Sequence, residues 1–161
     1  MVLASRLADL RRIFECVCLA LLLSSCASAP PAGPGLVDGK LALCPATPNC
    51  VCSEESGTGA PIDPLSFGSS DPGVAWVAVQ DGVKALGGTI ETVTDTYLWA
   101  TFSSRIFRFV DDVELRLDSE RGVVHIRSAS RLGYSDFGVN RKRIESLRKL
   151  FASRMGSRNG G

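Results

Sequence analysis

Phe107-Arg-Phe-Val-Asp-Asp-Val-Glu-Leu-Arg-Leu117 is the stretch on which the fold turns. Phe107, Phe109, Val113, Leu115 and Leu117 fall on one face of an extended chain, and Arg108, Asp112, Glu114 and Arg116 on the other. This period of two marks a strand with one buried side. Asp118-Ser-Glu-Arg121 then reads as a polar hairpin loop, after which Val124 and Ile126 continue the apolar face, with His125, Arg127 and Arg131 on the polar one. Pairing Leu117 with Gly122 keeps the apolar faces together, whereas a slip of one residue sets them on opposite sides. That register puts Asp112 opposite Arg127, Glu114 opposite His125, and Asp111 opposite Ser128 on the apolar side.

Working outward, Thr89 to Thr94 and Tyr97 to Ser103 are rich in β-branched and aromatic residues, with a turn at Asp95-Thr96. Before them, Asp71-Pro72 is a helix start and Gly87-Gly88 a stop, and Trp76, Val79, Val83 and Leu86 recur at helical spacing. A last helix is expected from about Gly138 to Phe151, burying Val139, Ile144, Leu147, Leu150 and Phe151. The order predicts an α+β fold: a four-stranded antiparallel meander with one helix before and one after, both helices on one sheet face.

The N-terminal region has a different character. Arg6, Arg11 and Arg12 precede the apolar run Cys16-Val-Cys-Leu-Ala-Leu-Leu-Leu23. Eight residues rise only about 12 Å as a helix against roughly 30 Å of bilayer hydrocarbon, so the run reads as a signal segment and not a permanent span. Leu23-Ser24-Ser25-Cys26 resembles the lipobox of bacterial lipoproteins, which makes Cys26 the acylated first residue of the mature chain. Two acyl chains, palmitate among them, suffice for stable anchoring where one is marginal. The alternatives are an ordinary secretory peptide cut near Ala27-Ser-Ala29 and, from Arg11-Arg12-Ile13-Phe14, twin-arginine export. Ala27 stands where an aspartate would signal inner-membrane retention, so the expected site is the cell envelope, on the periplasmic face of the outer membrane in a Gram-negative source. The boundaries are then a signal peptide over 1–25, lipidated Cys26 with a Pro/Gly-rich tether over 26–43, one globular domain over 44–153, and a frayed tail over 154–161, with fraying expected beyond Arg154.

Removing the charges of the signal segment leaves 15 basic and 15 acidic residues from the chain's 18 and 17. A neutral balance argues against nucleic acid as partner, since phosphate neutralisation needs a net basic surface. Cys44, Cys50 and Cys52 remain to pair. Cys44 with Cys50 is the favoured disulfide, because Pro45 and Pro48 bend the loop while a Cys50–Cys52 bridge closes a very tight ring. A zinc site from the three cysteines and His125 lacks a standard knuckle spacing, and neither metal nor cofactor is expected.

Cys44-Pro-Ala-Thr-Pro-Asn-Cys-Val51, Phe107-Arg-Phe-Val-Asp-Asp-Val-Glu114 and the run from Arg127 to Glu145 together resemble the domain of unknown function 1499 family, over about Leu43 to Phe151. The resemblance implies an envelope or organelle-lumen setting and little chemistry. Cys52 departs from it, since the family usually carries serine there, so no general mechanism of such a family rests on that thiol.

Asp111, Asp112, Glu114, Arg127, Ser128, Ser130, Arg131, Tyr134, Asp136, Asn140 and Arg141 crowd three neighbouring segments. Cross-strand and helix ion pairs account for some of them, and Ser135 or Asp136 for a helix cap. Asp111 stands apart: alternation aims it at the apolar face, where a carboxylate must be paired or protonated. The binding candidates are Asp111, Arg127, Ser128, Ser130, Arg131, Tyr134, Asp136, Asn140 and Arg141, around the last helix's N-terminus. They suit a non-catalytic binding module for a small anionic or polyhydroxylated ligand, or for an envelope partner. A hydrolase-type or isomerase-type enzyme using Asp111 and Asp112, or Glu114 with His125, ranks below it. Adjacent strand residues point to opposite faces, and so Asp111 and Asp112 do not share a site. A structural envelope protein is the third reading.

Overall fold

The computed structural model describes residues 34–54, 60–104 and 109–158. The expected signal segment and Cys26 fall outside these residues, as do most of the Pro/Gly-rich start of the tether and Phe107. The elements are β1 (Leu36–Val37), β2 (Lys40–Leu41), β3 (Cys50–Cys52), β4 (Ala60–Pro61), β5 (Leu65–Ser66), α1 (Pro72–Ala85), β6 (Thr89–Val93), β7 (Tyr97–Ser103), β8 (Val110–Asp118), β9 (Val123–Ser130) and α2 (Val139–Arg158).

The fold is α+β with a mostly antiparallel sheet. Among the described residues the main sheet has seven strands in place of the four expected, in the order β4-β3-β9-β8-β7-β6, with β5 also paired to β9. The additional strands have two or three residues each, too short to show a period. β3 takes one end of the far edge of β9, pairing Cys50 with Ala129 and Cys52 with Arg127, and β5 takes the other, pairing Leu65 with Val124.

The β8–β9 register differs from the expected one by two residues: Leu117 faces Val124, Glu114 faces Arg127, Asp112 faces Ala129 and Asp111 faces Ser130. Gly122 causes the shift. It adopts φ +65, and a Cβ there would lie 2.4 Å from the Gly68 carbonyl oxygen, so the turn and not the strand must hold it. Its own carbonyl accepts from Phe67 and Gly68 N–H. A two-residue shift preserves the faces, so the apolar sides still coincide.

One core cluster joins Trp76, Val79 and Val83 of α1 and Ile144, Leu147, Phe151 and Met155 of α2 to Val113, Leu115, Val124 and Ile126 of the sheet. Asp71 caps α1 by accepting from Val74 N–H at 2.9 Å. The exit is a glycine cap in which Gly87 donates to Lys84 and Gly88 to Val83, with Gly87 at φ +84. α2 continues past Phe151 to Arg158 because Met155 still reaches the core. The tail expected to fray beyond Arg154 is thus partly helical. Val139 and Phe109, expected inside, are exposed: Val139 opens α2, and Phe109 stands one residue before β8.

By strand alternation, Cys50 and Cys52 face away from that core, and they form a second cluster with Leu41, Cys44, Ala129 and Tyr97. The Cys44–Cys50 disulfide sits here. Residues 34–43, expected as the end of the tether, hold the β1–β2 hairpin instead, with Leu41 buried against this cluster. No helix among the described residues is long and apolar enough to cross a membrane.

Candidate functional site

Polar side chains gather at three places. The first lies between the sheet and α2, where Asp111 takes Arg143 Nη2 at 2.5 Å. Arg143 Nη1 donates to Asn140 Oδ1 at 2.7 Å and to Ser128 Oγ at 3.3 Å, while Ser128 Oγ donates to Asn140 Oδ1 at 2.5 Å. Asn140 Nδ2 donates to Ser130 Oγ and to the Asn49 carbonyl, and Asn49 Nδ2 in turn to the Gly133 carbonyl at 2.7 Å. Arg143 also lies over the Phe102 ring, 4.7 Å from its centroid. This network bolts the β9–α2 loop and the segment before β3 onto the sheet.

The second place is the opposite face. Glu114, fully buried, accepts from Tyr97 Oη at 2.9 Å and from Arg127 Nη1 at 2.8 Å. Burial, reinforced by the Glu114 charge, pushes the Tyr97 phenol well above its usual range. Next to it, Asp112 accepts from Trp99 Nε1 at 2.7 Å and takes a bidentate pair of bonds from Arg131, both 2.9 Å. Asp111 and Asp112 therefore serve opposite faces, and Glu114 does not meet His125.

The third place is a cleft of about 590 Å³ at the β8–β9 hairpin end of that same face, roofed by the β1–β2 turn. Glu54 organises it: Oε1 accepts from Arg116 Nη2 at 2.6 Å and Oε2 from Leu41 N–H at 2.6 Å. Arg116 also reaches Asp118 at 3.3 Å. His125 is only 6% exposed. Its Nδ1 lies 3.3 Å from Ser53 Oγ, which accepts from Ile126 N–H. The Ser53 hydroxyl proton is free to point at Nδ1, an arrangement that puts the imidazole proton on Nε2. Among the described residues Nε2 has no hydrogen-bond partner; Asp118 Oδ2 is 3.7 Å away and Glu54 Oε1 3.9 Å. Burial, only partly opposed by the Glu54 charge, lowers the imidazole's affinity for a proton. Asp118 is also desolvated by burial, but Arg121 N–H and the Arg116 guanidinium outweigh this and hold its carboxyl below the usual range.

A family model described as a protein of unknown function (DUF1499) matches residues 40–151. The chain belongs to the DUF1499 family. Comparison with curated proteins finds no match. The DUF1499 span begins at Lys40, so it takes in β2 and Glu54 along with the sheet.

Within this DUF1499 domain the nine sequence candidates do not converge. Asp111, Ser128, Ser130 and Asn140 belong to the network under α2, whereas Arg127 and Arg131 lie on the opposite face. Asp136 caps α2: Oδ1 accepts from Gly138 N–H at 2.9 Å and Oδ2 from Asn140 N–H at 2.8 Å, so these amide donors are already occupied. Tyr134 is exposed, and Arg141 Nη2 donates to the Pro61 carbonyl at 2.6 Å. Arg143 was missed although the helical period shows it, since it follows Asn140 by three residues and precedes Leu147 by four. Glu54 had no local signal; it follows β3 by two residues, and β2 and β8 bring Leu41 and Arg116 to it. The disulfide takes Cys44 and Cys50 out of the zinc arrangement, and burial pushes the Cys52 thiol up.

Proposed function

We propose that this DUF1499 domain is a non-catalytic binding module, held in the cell envelope by lipid on Cys26, that receives a small polyhydroxylated ligand in the cleft around His125. In a Gram-negative source the place is the periplasmic face of the outer membrane. The observation that carries the reading is the buried, unpartnered His125 Nε2 beside Glu54 and Asp118. A buried donor without a partner costs on the order of 1–3 kcal/mol, which a ligand hydroxyl would recover. The lining also selects between the ligand classes. Asp38, Glu54, Asp118 and Glu120 stand among Lys40, Arg116 and Arg121. Hydroxyls both donate and accept and so suit such a mixture, while an anion would face four carboxylates.

Neither acid–base pair considered from the sequence supports the enzyme reading, since Asp111 is committed to Arg143 and Glu114 to Tyr97 and Arg127. The test is the His125 imidazole nitrogen spectrum during titration with glucose, N-acetylglucosamine, trehalose and, separately, inorganic phosphate. A saturable Nε2 shift with a sugar, lost in Glu54→Gln, is the expected result. A response to phosphate alone would overturn the ligand class, turnover of a sugar the non-catalytic reading, and silence from every probe the cleft itself. For the anchor, mass spectrometry of the mature chain is expected to find an acylated Cys26; an unmodified start at Ala27 or later would refute it.

A further inference from the structure

The loop between β9 and α2 exposes three large apolar side chains in close succession: Leu132 at 69%, Tyr134 at 73% and Phe137 at 90%. Phe137 also has φ +53, a left-handed conformation that is a real outlier for a bulky residue. That backbone is held in place, not slack. Phe137 N–H donates to Ser135 Oγ and Gly138 N–H to Asp136, while Asn49 Nδ2 grips the Gly133 carbonyl at the loop base. The protein thus spends strain to keep an aromatic ring in water, where it gains nothing from the protein's own core.

The charge along the loop and the first turn of α2 leans positive. Arg141 and Lys142 are exposed on the first turn of α2. The single acid between Arg131 and Lys142 is Asp136, whose two oxygens are both engaged by backbone N–H groups. Apolar tips beside exposed cations match the boundary of an anionic bilayer, where rings enter the headgroup layer and cations meet phosphates.

We infer that this loop is a membrane-contact surface, with Leu132, Tyr134 and Phe137 entering the headgroup region of an anionic bilayer and Arg141 and Lys142 meeting its phosphates. This rests in part on the proposed anchor at Cys26. Residues 27–33 separate that cysteine from Pro34 and, even fully extended, the chain from Cys26 to Pro34 spans at most about 28 Å. A lipidated chain therefore stays close enough for the loop to touch the surface that holds the anchor.

The experiment uses the full chain with Phe137→Trp, reconstituted in vesicles of phosphatidylcholine and phosphatidylglycerol that carry brominated acyl chains. Quenching in excess of the parent protein, whose Trp76 is buried and whose half-buried Trp99 is hydrogen-bonded to Asp112, is expected, and it should weaken when phosphatidylglycerol is omitted. No excess quenching in vesicle-bound protein overturns the inference, and capture of a protein by a photo-crosslinker at position 137 in its place assigns the loop to a protein partner. Failure of the anchor is read separately, by the mass of the N-terminus. If Cys26 proves unmodified, sedimentation of the chain with the same vesicles decides the matter: Tyr134→Ser with Phe137→Ser should lower the partition roughly tenfold, and equal partition, or none by either chain, refutes the loop.

Discussion

The two faces of the central strands β8 and β9 use the same residue types to opposite ends. Towards α2, Asp111, Ser128, Asn140 and Arg143 are bonded to one another. On the other face, at the hairpin end, Arg116 and Glu54 are as tightly paired, yet His125 Nε2 beside them has no partner among the described residues. Density of polar residues therefore does not by itself leave a polar group open. A saturated network specifies and rigidifies structure, whereas a rigid set with an open donor has binding capacity to spare.

The strongest way to break this contrast is Asp111→Ala, which strands the Arg143 guanidinium in a nearly closed setting. A loss of about 3 kcal/mol is expected in urea unfolding, most of it recovered by adding Arg143→Met. A loss below about 1 kcal/mol would show that Arg143 finds water or another partner, and that the inner network is not the lock described.

Next in size is Cys44→Ser with Cys50→Ser. The loop it frees is short, with a sequence separation of 6, so about 2 kcal/mol is expected from thermal unfolding under matched conditions. Because the β1–β2 hairpin packs on this cluster, the loss should be accompanied by faster amide exchange at Leu41, while amides of the α2 side stay protected.

Titration sharpens the other half of the comparison. The folded His125 holds its proton less tightly than the 6.5 of a free imidazole, chiefly through burial. Below that pH the unfolded chain takes up more protons, so this contribution to stability is complete above about pH 6.5 and is lost as pH falls through the folded value. His125→Asn should cost under about 1 kcal/mol near neutral pH and make the decline of Tm with acidification shallower; an unchanged pH slope would sink the account.

The smallest effect is expected at Arg131→Ala. Its side chain is 45% exposed where it pairs with Asp112, so solvent screens most of the interaction and about 0.5 kcal/mol should be lost. Trp99 fluorescence is a sensitive second readout, since Arg131 lies 6.0 Å from that ring and shares Asp112 with its indole N–H.

Much of this was legible in the sequence, for identifiable reasons. The alternation through Val113, Leu115 and Leu117 and the Asp71-Pro72 helix start are local signals, and the elements follow them. The opposed directions of Asp111 and Asp112 follow from the same pleat, and the Cys44–Cys50 pairing from a short loop bent by prolines. The β8–β9 register was not legible, because the Gly122 turn is set by the Gly68 backbone, far away in sequence. Nor was the cleft: Glu54 comes from the segment after β3, Arg116 from β8 and His125 from β9, each unremarkable alone.

What the sequence by itself determined is which residues share a face, since a strand's or helix's period is a property of the local chain. The seven-stranded order, the two-residue shift and the division of the polar residues between lock and cleft were decided by tertiary structure alone. Each depends on contacts between segments distant along the chain, where backbone approach at Gly122 and the competition for a few buried donors and acceptors choose among arrangements that share the same pattern of faces.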